Sequence, residues 1–383
     1  MKKCFLLFCI AGFLASCSKP AQIRVKITNP SDFDRISEMV EIPTADISAK
    51  LPLSDGETYI VKNSAAEAVP AQTTFDGKLI FQSGLKAHGT AVYSIVKGEP
   101  LEFKPQVYGR FIKERYDDFA WENDRVAFRI YGHALVPIDG PSNGIDAWYK
   151  KTPKLVIDEW YKKDLAGEQS YHEDHGEGLD DYKVGRSLGA GAMAPFVKDT
   201  LWLNENFVSQ EVLENGPLRL TFRLIYNDIT VDGQTFSESR TFSLDAGSQL
   251  TKVVQEYGTG SEIPVAAGIA LREGGNVNVF SADNNYLLYQ EDSPNAGAVF
   301  MGVLIPSGID RTVENRYTVI NPITKKPETH AHNLAVTKYE PGKPMVYYTG
   351  FGWSQYGFSD LMSFDIYMTR FAESLKTPLA VSF

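Results

Sequence analysis

The chain has 383 residues, and 48 acidic side chains against 38 lysines and arginines give it a formal net charge of −10 at pH 7. A surface of this sign repels polyanions on average, which excludes nucleic acid as a general partner. An acidic sugar would need a pocket that concentrates basic side chains. At this length, one large domain with a smaller domain attached is expected.

The amino terminus has the pattern of a bacterial lipoprotein signal peptide over residues 1–16. Lys2 and Lys3 precede an apolar stretch, 5–13, that is too short to span a bilayer. Small residues then lead into Cys17, whose thiol is expected to carry the lipid that anchors the protein to a membrane. An ordinary signal peptide with a chance cysteine is the alternative.

All three cysteines lie within or at the end of this segment, at Cys4, Cys9 and Cys17. The sequence from residue 18 onward therefore has no thiol. This excludes a disulfide, a cysteine nucleophile and a thiolate metal site in the folded body.

Alternating apolar and polar residues predict mostly β-strands in the body of the chain. Such segments lie at 23–27, 107–112, 126–130 and 218–226. The pair Asp232-Gly233 predicts a hairpin turn between two further strands. We therefore expect a mainly β protein, with a large antiparallel β-sandwich over 101–383 and a smaller N-terminal β unit over 17–100.

Two helices are expected to interrupt the strands. Thr152 and Pro153 are residue types that favour a helix start, before a helix that reaches Leu165. Near the C-terminus, apolar residues at helical spacing predict a helix packed against a sheet. Those residues are Leu361, Phe364, Met368, Phe371 and Leu375.

Candidate catalytic groups are densest in the stretch 171–183, where histidines and carboxylates alternate with glycines. Glycines let a loop fold tightly around an ion, so His172, Asp174 and His175 could ligate a divalent metal such as Ca, Zn or Mn. Without a metal, the stretch could supply a general acid and a general base. Those candidates are Tyr171, His172, His175 and Glu177. A polar surface loop whose charges pair with one another is the third interpretation.

A second pair of histidines, His330 and His332, would share one face of a strand because side chains alternate along it. That geometry suits proton transfer, so His332 is a further catalytic candidate. Solvent-exposed histidines after the charged loop 325–328 would have the same sequence pattern.

Residues suited to hold a charged sugar occur in the runs 110–125 and 347–356 and at Lys183. Arginine binds a carboxylate through two parallel hydrogen bonds, and aromatic faces stack on sugar rings. The same runs could instead be a strand edge with ion pairs and a core strand that ends in a turn. The substrate-binding candidates are Arg110, Arg115, Tyr116, Trp121, Lys183, Trp353 and Tyr356.

Four runs together resemble an uncharacterised family of Bacteroides-type lipoproteins, catalogued as a domain of unknown function. They are 115–124, 171–178, 182–185 and 351–354. Members are encoded among polysaccharide-degrading, especially pectin-degrading, enzymes. The resemblance implies a carbohydrate-active setting and a galactose-mutarotase-like supersandwich, but no residue role.

That lineage also resembles lipoproteins in which acidic residues just after the lipidated cysteine direct export to the cell surface. The residues Ser18-Lys19-Pro20 are not acidic. We therefore expect a cell-envelope lipoprotein that faces the periplasm, with the cell surface as the alternative.

The leading functional hypothesis is an enzyme that cleaves uronic-acid-containing, pectin-type oligosaccharides by β-elimination or hydrolysis. Elimination needs a neutralised carboxylate, a base and an acid, whereas hydrolysis needs two carboxylates across a cleft. The alternatives are a non-catalytic saccharide-binding lipoprotein and a sugar mutarotase or epimerase.

Overall fold

Strands dominate the chain, as the alternation of apolar side chains predicts. The structure is a computed structural model that describes residues 22–272 and 277–383. The expected signal peptide and the Cys17 lipid site lie outside these ranges. Within them, no helix is both long enough and apolar enough to cross a membrane.

The N-terminal unit consists of two antiparallel sheets that enclose a core of their own. Its strands are β1 (Gln22–Thr28), β2 (Arg35–Pro43), β3 (Thr58–Lys62), β4 (Ala71–Thr73), β5 (Lys78–Leu85), β6 (Thr90–Gly98) and β27 (Ala380–Ser382). The sheet orders are β27-β1-β6-β3 and β2-β5-β4. Helix α1 (Thr44–Lys50) inserts Ile47 into this core. The last strand thus pairs with the first one, although the boundary expected near residue 100 assigns it to the other domain.

The large unit is a sandwich of an eight-stranded and a five-stranded antiparallel sheet. In sheet order, the eight strands are β14 (Ser209–Asn215), β15 (Arg219–Ile225), β18 (Glu238–Asp245), β19 (Leu250–Tyr257), β26 (Met345–Trp353), β23 (Gly297–Leu304), β22 (Tyr286–Ser293) and β21 (Val277–Ser281). The five strands are β13 (Thr200–Leu201), β12 (Ala190–Val197), β20 (Ile263–Ala270), β25 (Pro327–Tyr339) and β24 (Arg311–Ile320). Leu220, Phe222 and Leu224 alternate along β15 and are fully buried in the shared core, as the sequence pattern predicts.

A third sheet packs on the sandwich and has two different faces. Its strands, in sheet order, are β7 (Val107–Ile112), β8 (Asp118–Asn123), β9 (Ala127–Ile130), β10 (Asp146–Lys150) and β11 (Gly178–Leu179). One face is aromatic, and its Phe119 stacks on Phe222 of the sandwich with ring centroids 3.9 Å apart. The other face lies beneath helix α3 (Ile157–Leu165) and carries buried charges.

The sequence suggests that Thr152 caps helix α3. In the structure, a residue of the third sheet caps this helix instead. The Glu122 carboxylate accepts hydrogen bonds from the backbone nitrogens of Val156 and Ile157 at 2.7 and 2.8 Å. A negative charge at a helix N-terminus is favourable. Lys150 pairs with the same carboxylate at 2.7 Å, with both side chains fully buried.

The C-terminal helix α4 (Leu361–Lys376) packs on the eight-stranded sheet through the predicted apolar stripe. Phe364 and Met368 are fully buried there, whereas Leu375 at the end of the stripe is exposed. Asp360 caps the helix by accepting a hydrogen bond from the Ser363 backbone nitrogen at 2.8 Å. A mainly β fold with an antiparallel sandwich and a C-terminal helix is thus confirmed.

Three short elements complete the large unit: a 3-10 turn (His133–Leu135), helix α2 (Val136–Asp139) and a hairpin of β16 (Ile229–Val231) and β17 (Gln234–Phe236). The hairpin turn contains Asp232 and Gly233 with φ angles of 49° and 84°. Both angles are left-handed, which is the geometry expected from an Asp-Gly pair.

Candidate functional site

A row of charges crosses the buried face of the third sheet, under α3. Strand register places Arg129 of β9 opposite Asp146 of β10, and Arg129 Nε donates to Asp146 Oδ2 at 2.9 Å. Arg129 Nη2 donates to Asp180 Oδ2 at 2.7 Å. Asp118 of β8 lies on the other side of Arg129, with Oδ2 4.0 Å from Nε. We call Asp118, Arg129, Asp146 and Asp180 the Arg129 network.

Asp118 is the weakly bound member of this network. No described residue forms a hydrogen bond with its Oδ2 atom. Burial raises the pKa of Asp118 to about 7, although Arg129 and Arg115 oppose the increase. The carboxyl group therefore exchanges a proton near neutral pH.

Tyr171, the first residue of the predicted catalytic stretch, covers the Arg129 network. Its ring stacks on Trp148 with centroids 5.1 Å apart, and its hydroxyl lies 3.3 Å from Arg129 Nη1. The phenol is buried. Tyr171 therefore contacts the network and not solvent.

The other groups of the stretch point to separate partners on the protein surface. His172 Nδ1 lies 2.9 Å from the Asp180 carbonyl oxygen, and His175 Nε2 lies 3.1 Å from the Ser170 carbonyl oxygen. Asp174 pairs with Lys151, and Glu177 pairs with Lys154 at 2.7 Å. Across residues 22–272 and 277–383, no three His, Asp or Glu side chains are grouped as metal ligands would be. The arrangement is that of a charge-paired surface loop.

The arginine and tyrosine candidates of the run 110–116 lie at the edge of the third sheet. Arg110 is held by Asp158 at 2.6 Å and by Glu114 at 2.7 Å, so the protein already pairs its charge with two carboxylates. Arg115 stacks on the exposed ring of Tyr116 at 5.0 Å from its centroid.

The two tryptophan candidates lie inside the protein. Trp121 is fully buried, and its Nε1 donates to Thr251 Oγ1 at 3.0 Å. Trp353 is buried and donates to the Ala296 carbonyl oxygen at 2.7 Å. Both indoles are therefore removed from the surface, whereas Tyr356 is half-buried and Lys183 is exposed.

A second polar cluster begins two residues after the Arg129 network. Asp180 belongs to the network, and Tyr182 belongs to the second cluster. Between them, Asp181 is held by Ser293 and, at 2.9 Å, by Asn295. The Arg272 guanidinium then lies over the Tyr182 ring at 4.6 Å from its centroid. We define the Arg272 site as Tyr149, Tyr182, Arg272, Glu291 and His330.

The Arg272 site is rich in polar atoms without partners. Arg272 Nε and Nη2 have no acceptor among the described residues, and Nε is 3.8 Å from Glu291 Oε2, too far for a hydrogen bond. Buried polar groups are nearly always hydrogen-bonded, so such a concentration indicates a site that receives a ligand or water. The other unpartnered atoms are Glu291 Oε2, His330 Nε2 and the hydroxyls of Tyr149 and Tyr182.

Burial controls the protonation of these groups. It raises the pKa of Glu291 to about 7, against the opposing charge of Arg272, and it raises the pKa of Tyr182. It lowers the pKa of His330, and the positive charges of Arg272 and Arg186 lower it further. At neutral pH the site therefore has a neutral phenol, a neutral imidazole and a titrating carboxyl beside a cation.

The histidine pair of β25 shares one face, as alternation predicts, but its members have different roles. Tyr317 lies against both rings, with centroids 5.7 Å from His330 and 5.6 Å from His332. His332 is fully buried, its Nε2 accepts a hydrogen bond from the Leu188 backbone nitrogen at 3.0 Å, and burial lowers its pKa to about 3. The sequence favours His332 as the catalytic residue, whereas the structure gives His330 the position at the site.

Arg272, Glu291 and Tyr149 are functional candidates that the sequence interpretation missed. One signal was available, because Leu287, Tyr289 and Glu291 occupy alternate positions of β22 and all three are buried. An acidic residue at a strand position that should be buried is unusual. It therefore indicates a functional site more specifically than a loop rich in charged residues does. Arg272 directly follows a buried strand and has no such pattern.

Solved structures with a similar fold come from Enterococcus faecalis. One is a protein in glycosyl hydrolase family 38, with a TM-score of 0.51 and 8% identity, and it covers 94% of this chain and 47% of that chain. The other is an alpha-mannosidase with a TM-score of 0.51 and 9% identity, covering 94% of this chain and 46% of that chain. This chain spans about half the length of both proteins, and the likeness concerns the fold.

A relative of full length is the uncharacterized protein P7 of Formosa agariphila, which is 30% identical over 407 residues and covers 100% of both chains. A family model described as a domain of unknown function, DUF4861, matches residues 27–381. That match spans both β units and includes the Arg129 network and the Arg272 site. The chain therefore belongs to the DUF4861 family.

Proposed function

We propose that this chain is a carbohydrate-active enzyme that binds a uronic-acid residue of an oligosaccharide at the Arg272 site and cleaves the adjacent linkage by β-elimination. The observation that carries the proposal is the hydrogen bonding of the buried Arg272 guanidinium. Its Nε and Nη2 atoms both lack an acceptor among the described residues. Two parallel N–H donors match the two oxygens of a carboxylate.

Elimination also needs a base and an acid, and the site has one candidate for each. His330, with its lowered pKa, would be neutral at pH 7 and could take the proton from C5 of the uronate. The electron pair of the C5–H bond would form a C4–C5 double bond, and the C4–O4 bond would break. Tyr182, kept protonated by its raised pKa, could deliver a proton to O4.

Arg272 would lower the barrier by neutralising the carboxylate. Removal of the C5 proton places negative charge on the carboxylate side of the sugar, and a fixed cation there stabilises the transition state. Tyr149 and Glu291 supply further unpartnered oxygen atoms for sugar hydroxyls.

A second candidate reaction is hydrolysis, which the protonation of Glu291 favours. A carboxyl group with a pKa of about 7 can act as the general acid of a glycosidase. Asp181, a second carboxylate close to Glu291, is already bound by Ser293 and Asn295. The Arg272, His330 and Tyr182 atoms assigned to elimination have no protein partner among the described residues, and we therefore prefer elimination.

The test incubates the full chain with pectic and other uronate oligosaccharides and follows two products. Ultraviolet absorbance reports the unsaturated uronate, and a separate assay reports new reducing ends. Arg272→Met is the test variant, and Arg311→Met is the matched control because Arg311 is exposed on the edge strand β24. We expect both signals to increase for the parent and for Arg311→Met, and both to be lost for Arg272→Met.

Other outcomes identify the alternatives. Reducing ends without ultraviolet absorbance would overturn elimination in favour of hydrolysis. Binding without either product would indicate a saccharide-binding protein. Absence of both binding and turnover across the panel would overturn the proposed function.

A further inference from the structure

Three consecutive residues connect the Arg129 network to the Arg272 site. Asp180 belongs to the Arg129 network. Asp181 is held by Ser293 and Asn295 at the turn between β22 and β23, and Tyr182 lies under Arg272. The backbone has little freedom between them. The position of Tyr182 therefore depends on how firmly Asp180 is held.

Asp180 is held from three directions. Its carboxylate accepts from Arg129 Nη2 at 2.7 Å, its backbone nitrogen donates to the Tyr171 carbonyl oxygen at 2.8 Å, and its carbonyl oxygen lies 2.9 Å from His172 Nδ1. Its side chain is almost completely buried. Asp180 is thus a fixed point of the chain two residues before the phenol.

The backbone conformation of strand β11, just before Asp180, is also restricted. Gly178 has a φ of 119°, and a Cβ atom there would lie 1.9 Å from the Tyr149 carbonyl oxygen. Only glycine permits this close approach. Gly178 therefore fixes the pairing register of β11 with β10. Tyr149 of β10 is itself part of the Arg272 site.

We propose that Asp180 is a positioning residue of the Arg272 site: its ion pair with Arg129 fixes Tyr182 against Arg272. This inference rests on the proposed function, in which Tyr182 delivers the proton to the leaving oxygen. Asp180 contacts no substrate in this scheme. Its loss acts through the placement of the phenol.

The chain provides a matched control in Asp146. Asp146 pairs with the same guanidinium at 2.6 Å and is equally buried, but it lies on β10 and is not joined to Tyr182 by the next two residues. Asp180→Asn and Asp146→Asn therefore each replace a buried carboxyl group that contacts Arg129. We expect the first to loosen the segment 181–187 more than the second does.

The experiment measures hydrogen–deuterium exchange of backbone amides by mass spectrometry, together with kcat and KM on the oligosaccharide that the parent cleaves. We expect faster exchange in 181–187 for Asp180→Asn than for Asp146→Asn. We also expect kcat to fall by about 10- to 100-fold with KM nearly unchanged, because a misplaced acid affects the transition state more than binding. Rates are divided by the folded fraction of each variant.

Arg129→Lys is the second variant if Asp180→Asn does not fold. Lysine keeps the charge but cannot bridge two carboxylates with a planar fork, so the same pattern is expected in a milder form. Equal exchange in 181–187 for Asp180→Asn and Asp146→Asn would overturn the inference. The exchange measurement needs no substrate, so a failure of the proposed function would appear separately, as absence of turnover in the parent.

Discussion

The Arg129 network and the Arg272 site both place an arginine among buried carboxyl groups, yet they satisfy that arginine differently. Arg129 donates to Asp146 and Asp180 within 2.9 Å, whereas Arg272 is 3.8 Å from its carboxylate and has two buried donors without an acceptor among the described residues. A satisfied buried charge holds strands and loops in place. An unsatisfied one costs stability and is retained where a ligand completes it. The two clusters contain similar residue types and differ in how the arginine of each is hydrogen-bonded.

The largest expected effect is on stability, at Arg129. Arg129→Met should lower the free energy of unfolding by about 3–5 kcal/mol, because it leaves Asp146 and Asp180 buried without a counter-charge. Urea denaturation followed by circular dichroism measures this value. A loss below about 1 kcal/mol would contradict a structural role for the network.

Arg272→Met should reduce turnover strongly and stability little, which is the reverse of the effect expected for Arg129→Met. We expect kcat/KM on the cleaved oligosaccharide to fall by about 100- to 1000-fold, with an unfolding free energy within about 1 kcal/mol of the parent. Steady-state kinetics and urea denaturation on one preparation give both values. Strong destabilisation with unchanged turnover of the folded fraction would make Arg272 structural.

Asp118 and Glu291 provide a pH comparison, because burial raises the pKa of both to about 7. Between the ordinary value of 4.5 and about 7, folded Glu291 retains a proton that the unfolded chain has lost, so its contribution to stability decreases as pH rises. Relative to the parent, the free energy of unfolding of Glu291→Gln should therefore increase by about 3 kcal/mol across this interval. The free energy of unfolding of Asp118→Asn should also increase relative to the parent as the pH rises towards 7.

Turnover distinguishes the two carboxyl groups further. The pH dependence of kcat/KM should change in Glu291→Gln and persist in Asp118→Asn, because only Glu291 lies in the Arg272 site. Denaturation and kinetics at a series of pH values test both statements. An altered rate profile in Asp118→Asn alone would transfer the catalytic role to the Arg129 network.

The smallest effect is expected at His175, where the sequence interpretation and the structure disagree most. As a catalytic base or metal ligand, it would be essential. Its ring is partly exposed, and its polar contacts within residues 22–272 and 277–383 are a backbone oxygen and Glu173, 3.9 Å away. We expect His175→Ala to change stability by about 0.5 kcal/mol or less and turnover by less than about two-fold. Loss of turnover in a folded variant would restore the sequence-based role.

Local patterns predicted the fold well because each element was specified by its own residues. The stripe containing Phe364 and Met368 predicted α4, and Asp232-Gly233 predicted the hairpin turn. The start of α3 was missed because its cap, Glu122, comes from a strand more than 30 residues earlier. Contacts between distant segments leave no local pattern.

The site was less predictable, for the same reason. The stretch 171–183 was singled out for its density of ionisable groups, and the structure brings its two ends, Tyr171 and Tyr182, to two different clusters. His332 and Trp121 were chosen by type, and burial removes both from the surface. Arg272 and Glu291 meet only because β20 and β22 lie in facing sheets, which no spacing along the chain reveals.

The pairing of β27 with β1 determines when this protein can finish folding. Arg35, close to the start of the N-terminal unit, also donates to the Thr377 carbonyl oxygen, 342 residues further along the chain. A ribosome must therefore synthesise the whole chain between β1 and β27 before this sheet can receive its outer strand. Until then β1 presents an open edge to other nascent chains, which makes the interval between synthesis and closure the period of greatest aggregation risk.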